Sequence, residues 1–258
     1  MPTDFNNFFI PLDVRLRELP LVHSTGSEVM DNLGRDGSLD PQDCPVFLGE
    51  RLTYLFYGRP CFKPPESDLP DATTRMDVAP VCFVFRPSVT QLCVRRLFPC
   101  DTGAIHYRKF TGFIEQDELA QFEMDAREEM AVKLVGFFYD SNQAYFDNAA
   151  PRNVDLAAAP ESVVKYFNLL SHEGDTSFDE RRSALEFQSC SSIPLRGNVL
   201  AVILPFSLLQ RPEIQRRIVE DWHSTPIGYN ARRGSSPHEF YAKLKDAVQS
   251  TLRMGGYL

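Results

Sequence analysis

Tryptophan is nearly absent from this chain, with one residue in 258, and several short motifs are missing altogether. No G-x-x-x-x-G-K-[ST] occurs and no G-x-G-x-x-G follows a strand, so the two common phosphate-cradling loops are excluded. There is no H-E-x-x-H, no G-x-S-x-G and no kinase signature, which removes the usual metalloprotease, hydrolase and phosphoryl-transfer readings. None of the six cysteines (Cys44, Cys61, Cys82, Cys93, Cys100, Cys190) belongs to a C-x-x-C pair, and no histidine completes a zinc pattern, so no metal is expected. No apolar run reaches the length of a membrane span. The N-terminal stretch lacks the basic, apolar and small-residue order of a secretory signal. These absences together predict a cytoplasmic chain with reduced thiols and no membrane contact.

What is present is phenylalanine, at 20 residues, within a composition that is 43% hydrophobic. Such a chain can bury a sizeable core, and it is read as one domain over 1–258. The formal net charge of -8 argues against a surface devoted to coating nucleic acid, though it allows a local basic groove.

Periodicity predicts short strands at Leu21–Thr25, Val81–Phe85, Ala184–Phe187 and Val199–Leu204, and a strand or tight helical turn at Arg51–Tyr57. Residues 1–19 read as an extended lead-in, and Thr25 with Glu28 as a capping box before a short helix ending near Gly34. A short helix and then a strand are expected over Val89–Leu97. A long helix is expected over Glu115–Lys133, and others over Ser162–Leu170, Glu213–Trp222 and Glu239–Leu252. Residues 63–77, Phe98–Gly103, 193–198 and 228–237 read as loops and turns. Strands and helices do not alternate regularly, which favours α+β over a doubly wound α/β fold.

The stretch Asp179–Phe206 stands out because Glu186 places a carboxylate inside an apolar strand. Such a group either faces solvent or is kept for chemistry. His23 ends the first strand directly before Ser24 and Thr25, and Tyr54 and Tyr57 follow about thirty residues later.

This order of His, Tyr and Glu resembles the ADP-ribosyltransferase superfamily in its His-Tyr-Glu branch, and most closely the DNA-targeting ADP-ribosyltransferase toxins. The likeness covers residues 20–35 and 179–220, the latter through Arg181-Arg182-Ser183-Ala184-Leu185-Glu186-Phe187 and Ile193-Pro194-Leu195. It departs from the pattern at Leu185, an extra residue between Ala184 and Glu186. The resemblance implies split mixed or antiparallel sheets flanking an NAD cleft, with peripheral helices. It implies transfer of one ADP-ribose unit from NAD to a macromolecular acceptor, with DNA or RNA slightly favoured over protein. A bacterial toxin or anti-phage effector, with or without an antitoxin partner, is the implied context. Glu186 would be the catalytic carboxylate, with His23, Ser24, Thr25, Tyr54, Tyr57 and Arg59 contacting NAD.

The residue types suit that chemistry. Breaking the nicotinamide–ribose bond develops positive charge on the ribose, which a carboxylate stabilises. A neutral histidine can bond a ribose hydroxyl, and a tyrosine ring can stack on a flat base. Two other readings use the same residues: an NAD glycohydrolase with water as acceptor, and a non-enzymatic binding or immunity protein. In the last, Glu186 is a surface strand carboxylate paired with Arg181 or Arg182, and the tyrosines are core packing.

Overall fold

The computed structural model describes residues 3–33, 37–61, 78–89, 94–172 and 179–258. Within them, strands form where β-branched and aromatic residues cluster: β1 (Leu21–Gly26), β2 (Ser38–Leu39), β3 (Gln42–Asp43), β4 (Arg51–Tyr57), β5 (Pro80–Phe85), β6 (Val94–Phe98), β7 (Glu186–Ser189), β8 (Ile193–Pro194), β9 (Val199–Pro205) and β10 (Thr225–Tyr229). The main sheet runs β10-β9-β5-β1-β4-β7-β6, with β3 added on β4, and β2 and β8 form a separate antiparallel pair. The β10–β9 pair is parallel and the other pairs are antiparallel, so the architecture is α+β with a mixed sheet.

The helices are α1 (Asp4–Phe9), α2 (Val29–Asn32), α3 (Thr102–His106), α4 (Glu128–Phe138), α5 (Asn142–Phe146), α6 (Glu161–Ser171), α7 (Phe206–Leu209), α8 (Pro212–Arg216) and α9 (Pro237–Met254). Strand alternation sorts the core into two layers. Leu21, Tyr57, Phe83, Phe85, Phe187 and Leu204 face one way, into a cluster with Phe5, Phe9, Phe138 and Tyr166 from α1, α4 and α6. Val22, Phe56, Val84, Ala201 and Ile203 face the other way, against Leu244, Val248 and Leu252 of α9. Those three lie one helical turn apart on a single face, and Pro237 at N1 with the Ser236–Glu239 capping box starts the helix. Each fully buried Phe or Leu in these layers contributes roughly 1.5–3 kcal/mol.

One irregularity positions the site. β1 pairs with β5 along its whole length, from Leu21 to Gly26. Its pairing with β4 stops after Leu21↔Tyr57 and Val22↔Phe56. Further along the same edge of β4, β3 takes Leu52 and Arg51. The sheet therefore forks between β1 and β4, and the edge of β4 is left open around Tyr54. A backbone carbonyl at such a gap needs a partner. The His23 side chain supplies it, with Nδ1 2.8 Å from the Tyr54 oxygen.

Several sequence expectations are corrected. The two small sheets facing each other are instead one continuous forked sheet and a two-stranded pair. The lead-in contains α1, because Thr3 Oγ1 accepts from the Asn6 N–H and Phe5 and Phe9 pack together. The capping box at Thr25 does not form, since the strand continues through Gly26 and the helix starts after Glu28 without a side-chain cap. The long helix over 115–133 is two pieces, a 3-10 turn at Gln116–Phe122 and α4. Met124 breaks it by extending to bond Leu97 across a β-bridge. The helix read over Glu213–Trp222 is present: α8 runs directly into a π-helical turn over Arg217–Asp221. Residues 98–103 hold the start of a helix rather than a plain turn, capped by Asp101. Residues 193–194 pair as β8, and β10 forms over Thr225–Tyr229, taking the first two residues of the loop read at 228–237, its short run broken by Pro226 and Gly228. The loop read at 63–77, the helix stop at Gly34, the first part of the helix read near residue 90 and Cys93 lie outside the described residues.

Candidate functional site

The fork encloses a cavity of about 440 Å³. His23 and Thr25 of β1 line it, with Thr53 of β4, and Glu28, Asp40 and Gln42 close its rim. A carbonyl only accepts, so the bond to Tyr54 fixes the proton of His23 on Nδ1 and leaves Nε2 as an acceptor. Burial lowers the His23 pKa, outweighing the bond to Tyr54, so the ring is neutral at physiological pH. Thr53 is 4% exposed, and its Oγ1 has no hydrogen-bond partner among the described residues. It shares a sheet face with His23, because Tyr57, four residues on, pairs with Leu21.

Glu186 lies one strand beyond β4, opposite Phe56, in the row Val22–Phe56–Glu186. Two strand spacings separate that row's ends, about 10 Å. Paired residues of an antiparallel sheet share a face, so Glu186 leaves the sheet on the side of Val22 and Phe56, and His23 leaves it on the other. Leu185 and Phe187 point into the core and Glu186 points away from them. It does not reach solvent or the fork cavity, being 1% exposed.

Its carboxyl sits in a prepared cradle. The Thr102 N–H donates to Oε2 at 3.1 Å and the Thr102 hydroxyl to Oε1 at 2.7 Å. Gln188 Nε2 donates to Oε1 at 2.6 Å, two residues along the same strand face. Burial raises the Glu186 pKa to about 8, helped by Asp101, against the three donors that favour the charged form. Asp101 is raised too, by burial, while Arg181 and its cap to the Ala104 N–H pull it down. The Cys61 thiol points at Asp101 Oδ2 from 3.6 Å. Gln188 also accepts from Arg96 Nε at 3.0 Å, and Arg96 pairs with Glu50 at 2.6 Å, so the cradle is tied to a charged network.

The other expected contacts divide. Tyr54 serves both halves. Its carbonyl holds His23, while its ring lies on the Glu186 face with the hydroxyl 2.7 Å from Cys44 Sγ. Ser24 is on that face as well, opposite Cys82. Thr25 stays in the cavity lining. Tyr57 is removed from the ligand set: it is fully buried, and its hydroxyl accepts from the Leu19 N–H at 3.0 Å. Arg59 is removed for the same reason. Its buried guanidinium donates to the carbonyls of Tyr145 and Glu180 and to Ser183 Oγ, and it lies over the Tyr145 ring. It ties β4 to the segment before β7. Thr102, Asp101 and Gln188 were not singled out as site residues from the sequence. Asp-Thr-Gly after a strand is an N-cap pattern, and Gln188 follows Glu186 by two, which were the signals available.

Among the described residues no three His, Cys, Asp or Glu side chains group to hold a metal ion, and no helix is long and apolar enough to cross a membrane. Comparison of the chain with known protein families, with curated proteins and with solved structures finds no match.

Proposed function

We propose that the chain binds NAD at the forked sheet and transfers its ADP-ribose unit to a macromolecular acceptor. The observation that carries this reading is the fork itself: a cavity of about 440 Å³ is lined by a neutral histidine whose Nε2 is an acceptor and by Thr53, whose hydroxyl has no hydrogen-bond partner among the described residues. Cavities of that size suit a nucleoside-sized group. His23 and Thr53 would bond the hydroxyls of a ribose. This reading assigns Glu186 to the scissile bond and requires the dinucleotide to pass through the open fork, because Glu186 is buried on the sheet face opposite His23. In the reaction the nicotinamide–ribose bond breaks with its electron pair leaving on nicotinamide. The acceptor's oxygen or nitrogen bonds the ribose carbon, and its proton goes to the ionised Glu186 carboxylate. That form prevails above a pH of about 8.

A second reading has its own observation. Glu186 is 1% exposed and does not line the cavity, which favours a binding protein that holds a nucleoside-like ligand without chemistry. Labelled NAD separates the cases. Label transferred to a macromolecule, and lost in Glu186→Gln, supports the transferase. Free labelled ADP-ribose alone indicates hydrolysis, and binding without turnover indicates the second reading. A ligand at a hundredfold excess over its dissociation constant stabilises the native state by roughly 2.7 kcal/mol. Absence of any thermal shift with millimolar NAD ends the NAD reading.

A further inference from the structure

The fork cavity carries charge of one sign. Glu28 and Asp40 line it, and none of its described lining residues is Lys or Arg. Hydrogen bonds from Ser192 and Ser38 hold the Asp40 carboxyl below its ordinary range, so it is ionised at neutral pH. Glu28 folds back over the end of β1, where a Cβ on Gly26 would run into its carboxylate. Arg51, close enough to Asp40 to act on it, is paired with Asp43 at 3.6 Å and lies outside the lining. The same lining includes two neutral residues: His23, whose Nε2 is an acceptor, and Thr53, whose buried hydroxyl has no partner among the described residues.

A set rich in acceptors takes a group rich in donors. Ribose hydroxyls donate to a carboxylate and to an imidazole nitrogen, and one of them can accept from Thr53 in return. A phosphate at the same place would bring two negative charges against Glu28 and Asp40 with no described cation in the lining to answer them. Acidic residues beside a ribose discriminate in this way wherever the 2′-hydroxyl is to be kept and the 2′-phosphate refused.

We infer that Glu28 and Asp40 are specificity residues that make the fork accept the unphosphorylated ribose of NAD and reject NADP. This rests on the NAD reading of the same cavity, and the test separates the two. NAD and NADP are titrated in parallel by calorimetry against the wild-type chain, Asp40→Asn, and the double variant Glu28→Gln/Asp40→Asn. The wild type is expected to prefer NAD by about tenfold or more, since like charges meet at short range. The double variant is expected to bring the two ligands within about threefold of each other, with NADP binding gained. Asp40 is exposed, so Asp40→Asn provides a folded variant even if the double change does not. Equal binding of NAD and NADP to the wild type overturns the specificity assignment and leaves the NAD reading standing. A preference for NAD that persists unchanged in the variants overturns the role of these two carboxylates. Binding of neither dinucleotide removes both inferences together.

Discussion

The buried carboxyl of Glu186 should make stability fall as pH rises, and the size of the effect follows from its surroundings. In the unfolded chain the group releases its proton near the ordinary 4.5, whereas in the folded chain it holds the proton to about 8. Between those values the native state binds more protons than the unfolded state, so stability decreases with pH and is level above the window. Each pH unit in the window is worth about 1.4 kcal/mol, which sets a ceiling of about 5 kcal/mol over the whole range. That is a large part of the 5–15 kcal/mol typical of a domain. Other groups titrate over the same range, so the measurement is a difference. Urea unfolding of the wild type and of Glu186→Gln is followed at pH 5.5, 6.5 and 7.5, each about one unit apart. The variant keeps an oxygen to accept from Thr102 Oγ1 and Gln188, but turns an amide toward the Thr102 N–H. That mismatch costs about 1–3 kcal/mol at every pH. At the acid end the wild type should therefore be the more stable. The gap should close by about 2–3 kcal/mol toward pH 7.5. A wild-type minus variant difference that stays flat across the three points would refute the account of Glu186 as a buried carboxyl held protonated by its environment.

Arg59→Met tests whether that guanidinium is structural. Removing its bonds to Tyr145, Glu180 and Ser183 should cost about 3 kcal/mol or more by denaturant unfolding, and loss of NAD binding with stability intact would return Arg59 to the ligand site. Thr53→Val replaces a hydroxyl that has no partner among the described residues with a methyl group of similar shape. Stability should stay within about 0.5 kcal/mol or rise, while NAD affinity drops about fivefold in calorimetric titration; an unchanged affinity would remove Thr53 from the binding groups.

Individual strands were legible because their apolar runs are long and bounded by turns, as Val199–Pro205 and Pro80–Phe85 show. The strand at Thr225–Tyr229 was not, since five residues with a proline and a glycine carry little periodicity, and its pairing to β9 is a tertiary event. The helix over 115–133 failed because Met124 finds a distant partner in Leu97, which no local pattern encodes.

For the site, the sequence by itself determined that Glu186 would turn away from Leu185 and Phe187, because side chains alternate along a strand whatever surrounds it. The resemblance grouped His23, Ser24, Thr25, Tyr54, Tyr57 and Arg59, and of these His23, Thr25 and Tyr54 line the one cavity. The tertiary structure decided everything that depends on register. Pairing of Val22, Phe56 and Glu186 in one row sends His23 and Glu186 to opposite faces. The divergence of β1 from β4 opens the cavity that gives His23 a place to act. Packing of α3 against β7 encloses Glu186 with Thr102 and sets its proton affinity. Register and enclosure are relations between segments far apart in the chain, and a one-residue shift in pairing would exchange the two faces without changing the sequence of either strand.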